Sequence, residues 1–117
     1  MPTERVRLAA VRDAGALTAP ERALAHLTRL GAPDRFWVHV DADVLEDSIM
    51  PAVDYRQPGG LSPDELATIL AVAMATGPVA GVEVTIYNPT LDPHETAATA
   101  LTDALTRGLG RTADSSA

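Results

Sequence analysis

The chain has 117 residues, enough for one domain near the lower limit of independent folding. Its net charge of −7 argues against a nucleic-acid backbone or an anionic membrane surface as partner, since both demand a basic patch, and is compatible with a metal cation or a positively charged substrate. The absence of cysteine excludes disulfides and thiolate metal sites.

Hydrophobic residues make up 46% of the chain, so a packed core rather than disorder is expected. That core is rich in Ala, Leu and Val, with Phe36, Trp37, Tyr55 and Tyr87 as the aromatics besides, a composition that suits helices lying close against a sheet. No apolar run approaches the roughly 20 residues of a membrane span. The opening Met-Pro-Thr-Glu-Arg lacks the pattern of a secretory signal, and a cytoplasmic location is the default expectation.

In chain order, Val6, Leu8 and Ala10 alternate with Arg5, Arg7 and Ala9, which predicts a first strand over Arg5–Val11. Thr18-Ala19-Pro20-Glu21 then signals a helix start, with Leu24, Leu27 and Leu30 as a narrow apolar face. Phe36–Val40 is a short apolar run interrupted by His39, as a buried parallel strand would look. Ser62-Pro63-Asp64-Glu65 opens a second helix, whose face is Leu66, Ile69, Leu70, Ala73 and Met74. Val79–Tyr87 is rich in β-branched residues and predicts a third strand. Asp92-Pro93-His94-Glu95 opens a third helix with a face of Ala97, Ala98, Leu101, Ala104, Leu105 and Leu109. Gly31, Gly77 and Gly108 fall where these helices should end, and Arg111–Ala117 reads as a flexible polar tail.

Alternating strands and helices imply an α/β fold with a mainly parallel sheet and right-handed crossovers. In such sheets ligands gather at the carboxyl ends of the strands. Asp41-Ala42-Asp43 stands at that end of the second predicted strand. Residues two apart in an extended chain face one side, so both carboxylates can address one spot. Two such charges about 6 Å apart repel by roughly 3 kcal/mol at an effective dielectric near 20. A hard divalent cation such as Mg2+ or Mn2+ would remove that cost. The alternative is that one Asp caps a turn while the other is solvated.

The surrounding order narrows the choice. Val38-His39-Val40-Asp41-Ala42-Asp43-Val44-Leu45-Glu46-Asp47 runs into Met50-Pro51-Ala52-Val53-Asp54, then Pro58-Gly59-Gly60-Leu61-Ser62 and a helix. After it, Gly81-Val82-Glu83-Val84 leads to Asn88-Pro89-Thr90-Leu91-Asp92. This ordered set resembles the C-terminal portion of the arginase/agmatinase/formimidoylglutamase (ureohydrolase) family, over about positions 36 to 108. The resemblance implies a three-layer α/β fold in which residues 1–110 form a partial arginase-like domain, followed by the tail. It implies that Asp41 and Asp43 match two carboxylate ligands of a binuclear Mn2+ centre, whose paired metals activate a water for attack on a guanidinium or amidine carbon. Gly59 and Gly60 match a turn in which backbone freedom explains the glycines.

The departures from the family pattern are equally specific. The upstream Gly-Gly-x-His and Asp-x-His-x-Asp segments that supply the family's remaining metal ligands do not occur here. Arginases carry a Glu two residues before Asn-Pro, where this chain has Ile86, so arginine need not be the substrate. Glu83 matches another acidic position near the metals, with Thr85 and Tyr87 on its face by alternation. It either lines the substrate or metal pocket or pairs with a neighbour at the sheet end. His39 shares a face with Asp41 and Asp43 and could complete a three-ligand mononuclear site, although a buried, internally satisfied His is the commoner state. His26 and His94 are expected on helices, and Arg56-Gln57 in a surface loop.

The expectation is thus a metal-dependent hydrolase of C–N bonds in a guanidino or amidino compound, incomplete on these residues. Nucleic acid and membrane are not expected partners, whereas self-association or a complementing chain is. The alternative is a catalytically inactive fragment, or a small α/β domain that oligomerises or binds a partner through its open sheet edge.

Overall fold

A computed structural model describes residues 4–31, 35–54, 56, 59–76 and 79–110. The order is α1 (Leu8–Arg29), β1 (Phe36–Asp41), α2 (Pro63–Thr76), β2 (Val79–Thr85) and α3 (Thr96–Leu109), with short 3-10 turns at Ala42–Val44 and Pro89–Leu91. The two strands pair in parallel, and each feeds a helix, as an α/β architecture requires.

The first predicted strand is overturned. Residues Leu8 onward are helical, and Val11 is buried against Ala19 and Leu61. A strand here would need a neighbour for its amides and carbonyls, while a helix satisfies them internally, and Leu-Ala-Ala-Val suits it. Gly15, at φ 93° and ψ 162°, divides α1 into two helical runs. Thr18 therefore falls in the first turn of the second run rather than at a cap. Leu24 and Leu27 are only half-buried and Leu30 is exposed, so this helix docks through Val11 and Ala19 instead.

The start of α2 follows the sequence signal closely. Ser62 Oγ accepts from the Glu65 amide at 3.1 Å, and Glu65 Oε1 accepts from the Ser62 amide at 2.9 Å, a reciprocal capping box with Pro63 in the first helical position. The other Glu65 oxygen takes the Arg12 guanidinium at 2.7 Å, and Arg12 also donates to the Gly60 carbonyl at 2.7 Å. One arginine thus ties α1 to the entrance of α2. Glu65 is held below the ordinary carboxylate range by the Ser62 amide first and by Arg12 second.

The start of α3 is displaced. Glu95 adopts a left-handed conformation (φ 58°), so the helix begins at Thr96 rather than at Pro93. Asp92 still serves as the cap, from further away: it accepts from the Ala97 amide at 3.1 Å, the Ala98 amide at 2.8 Å and the Tyr87 hydroxyl at 2.7 Å. Burial opposes the Asp92 charge, and the hydroxyl and amides outweigh it, leaving the carboxyl below its ordinary range. Buried polar groups are tolerated when satisfied in this way.

The predicted apolar faces of α2 and α3 build the core. Leu66 and Leu70 of α2 meet Ala97, Leu101 and Ala104 of α3, together with Val40, Ala42, Leu45, Met50, Ala52 and Val53. Gly31 follows α1 in the left-handed region, as expected of a helix end. Gly108 does not end α3; it is buried inside the helix, where a Cβ would stand 2.6 Å from Leu70 Cβ and 2.9 Å from the Ala67 carbonyl oxygen. Its role is close helix packing. Gly77, Tyr55, Gln57, Pro58 and the Arg111–Ala117 tail lie outside the described residues. No helix among the described residues is long and apolar enough to cross a membrane.

Alanine is the better helix former, by up to about 1 kcal/mol, whereas overpacking this contact costs about 1–3 kcal/mol. Gly108→Ala is therefore expected to lower the unfolding free energy in a urea titration. An equal or higher midpoint would contradict the packing assigned to α2 and α3.

Candidate functional site

The site follows from strand register. Parallel pairing sets His39 beside Glu83, Val40 beside Val84, and Asp41 beside Thr85. Val38 and Val40 turn toward the core, which leaves Trp37, His39 and Asp41 on the opposite face of β1. Gly81, Glu83 and Thr85 occupy the same face of β2. Trp37 is 68% exposed and lies directly over Gly81, so this face is open to solvent.

At the carboxyl ends of the two strands, His39 forms a bridge. Its Nδ1 is 2.8 Å from Glu83 Oε1 and its Nε2 is 2.7 Å from Asp41 Oδ1. Thr85 Oγ1 donates to the same Asp41 oxygen at 2.9 Å. Ionised carboxylates only accept, so with both partners charged both ring nitrogens donate and the imidazole is the cationic form. The Glu83 and Asp41 hydrogen bonds, in that order, raise the His39 pKa above its ordinary 6.5. Asp41 is lowered below its ordinary 3.8, by His39 first and Thr85 second. All three charged side chains are close to half exposed or more, so water screens the pairing.

Several expectations change here. His39 is satisfied but exposed, not buried, and Asp43 is not among its partners. The chain leaves extended geometry after Asp41: Ala42, fully buried, anchors a 3-10 turn and Asp43 sits exposed within it. Strand alternation therefore does not relate Asp41 to Asp43. Tyr87 also leaves the face of Glu83, because β2 ends at Thr85 and Ile86 takes φ 80°, an unusual conformation for a β-branched residue. Tyr87 packs against the core instead and donates to Asp92. His26 lies on α1 near Glu4, and His94 in the turn before α3; neither is among the groups hydrogen-bonded to Asp41 or Glu83.

The remaining acids of the loop after β1 hold the loop itself. Glu46 accepts from the Gly59 amide at 2.9 Å, Asp47 pairs with Arg56, and Asp54 accepts from Asn88 Nδ2 at 3.1 Å. Asn88 also caps the Pro89–Leu91 turn through the Thr90 amide, and its own amide reaches the Ala52 carbonyl at 2.8 Å. Gly59 has φ 86°, the left-handed region that a turn demands of glycine. Gly60 is needed for a different reason: a Cβ there would stand 2.6 Å from the Leu45 backbone.

A hard divalent cation suits carboxylate oxygens but needs about six donors. Among the described residues no group of three or more His, Asp or Glu side chains is placed to hold a metal ion. Asp41 Oδ1 already serves two donors, and Glu83 Oε1 serves a third. These residues as they stand do not fit a two-metal centre.

The cluster carries a sign for pH. The His39 contribution is fully present below pH 6.5 and is lost as pH rises through the raised folded value. The Asp41 contribution is present above 3.8 and is lost as pH falls through its lowered value. A ring titration followed by NMR should give a His39 midpoint above 6.5, and Asp41→Ala should bring it down. A midpoint unmoved by that substitution would contradict the bridge.

Comparison with known proteins adds an independent line. The family model described as Arginase family matches residues 3–107. Formimidoylglutamase from Bacillus subtilis (strain 168) is 39% identical over 59 residues, covering 50% of this chain and 18% of that protein. The crystal structure of formimidoylglutamase from Bacillus subtilis superposes with a TM-score of 0.77 at 28% identity, over 88% of this chain and 32% of that one. Formiminoglutamase from Trypanosoma cruzi, solved with Mn2+, gives a TM-score of 0.64 at 27% identity, over 84% of this chain and 33% of that one. The chain thus spans about a third of the length of these solved relatives.

Proposed function

The chain belongs to the arginase family, and from that premise we propose that it supplies one wall of a metal-dependent C–N hydrolase site. In this reading residues 1–110 are part of an arginase-like domain, and Asp41 and Asp43 are carboxylate ligands for Mn2+. The other ligands come from outside the described residues. Glu83 lines the substrate pocket beside them.

The observation that carries the reading is the convergence of Asp41, Glu83, His39 and Thr85 at the carboxyl ends of two parallel strands. Structural ion pairs can sit anywhere on a surface; this one sits where such sheets bind ligands. A guanidino or amidino group is a planar cation when protonated, and carboxylates on an exposed face are its natural acceptors. The amidino class is favoured over arginine on two grounds. Arginases also stand among the structural neighbours, but the relative that is 39% identical is a formimidoylglutamase, and Ile86 occupies the position where arginases place a carboxylate.

The test uses the protein as isolated from its native source, with whatever segments accompany it. Release of the nitrogen product from formimino, amidino and guanidino compounds should depend on Mn2+. Loss of outer-shell partners in metal sites costs about 10–100-fold, so losing a ligand through Asp41→Ala should cost more than about 100-fold. Glu83→Ala, with folding intact, should impair turnover of the same substrate. Full activity in both variants would remove the proposed site.

A further inference from the structure

The mismatch between the His39 cluster and a metal centre is itself informative. Of the carboxylates that the proposed function assigns to the site, Asp41 and Glu83 are already engaged by one ring, while Asp43 stands apart from it. A ring N–H and a divalent cation compete for the same oxygen lone pairs, and one imidazole here occupies an oxygen of each of two carboxylates at once and sets its own positive charge between them. We propose that His39 is the built-in occupant of this carboxylate pair, keeping Asp41 and Glu83 closed to divalent cations until the ring swings away. This inference rests on the reading of Asp41 and Glu83 as site carboxylates.

The geometry supports an occupant that can leave. The His39 side chain is 48% exposed, so rotation about its side-chain torsions carries the ring into solvent rather than into the core. The backbone beneath it stays fixed, because Val38 and Val40 on either side pack toward the core. Departure of the ring frees Asp41 and Glu83 together, since it holds them through its two nitrogens. Thr85 remains bonded to Asp41 and keeps that carboxylate oriented at the strand end. His39 is thus a positioning residue: it holds the two carboxylates facing each other while the rest of the ligand set is lacking. The cations that compete with it are hard, oxygen-seeking ions of the Mn2+ and Mg2+ type.

Mn2+ titration calorimetry on the folded chain tests the proposal, with circular dichroism confirming fold in every variant. The wild type should bind weakly. His39→Ala should bind at least about tenfold more tightly, the scale set by losing a hydrogen bond to a charged group. His39→Val, a β-branched residue that suits a strand, should behave likewise and guards against a folding defect in the alanine variant. Adding Asp41→Asn to His39→Ala should abolish the gain. Equal titrations for wild type and both His39 variants would overturn the proposal, as would a gain that survives Asp41→Asn. Failure here leaves the hydrolase reading to the turnover assay of the native protein, so the two can fail separately.

Discussion

Parallel pairing of β1 with β2 sets Asp41 beside Thr85 and His39 beside Glu83, and the site exists only in that register. A slip of one residue would turn Val38 and Val40 out of the core and bury the charged face. The register is held from both sides. Val40 and Ala42 are locked into the cluster formed with α2 and α3. Beyond the strands, Leu45 bridges to Leu61, and the Asn88 amide bonds to Ala52. The loop after β1 is therefore an extension of the sheet's own constraints.

That arrangement explains how acidic side chains are divided. Glu46, Asp47 and Asp54 are consumed in holding the loop, and Asp92 in starting α3. Asp41 and Glu83 sit on the open face, where their main partner is a histidine that water can also reach. The same face carries the exposed Trp37, which lies over Gly81. In relatives about three times as long, the remaining two thirds of the chain offers material to cover such a face.

Much of the fold is legible in the sequence where local chemistry decides it. The β-branched run of β2 and the apolar run of β1 form strands, and the Ser62–Glu65 box starts α2 at the predicted place. Arg5–Val11 misleads because alternation over seven residues of Val, Leu, Ala and Arg fits either period. Pro93 signals a helix that Glu95 delays, since a left-handed residue must first redirect the chain. Gly108 reads as a helix end but serves a helix–helix contact, which no local pattern reveals. Asp41 and Glu83 are visible as candidates from motif order. Their union through His39 is not, because it depends on which residue of β2 stands beside which residue of β1. Nor does the sequence reveal that the chain turns after Asp41, so that strand alternation cannot relate Asp43 to it.

The central claim is that these residues make one wall of a catalytic site and depend on others for the rest. Native mass spectrometry of the active species purified from its source tests it most directly. The account predicts that metal-dependent C–N hydrolase activity travels with a species larger than 12.2 kDa, either a longer polypeptide or a complex containing this one. Activity in a free 12.2 kDa monomer would contradict it, because this polypeptide would then hold the metal centre alone.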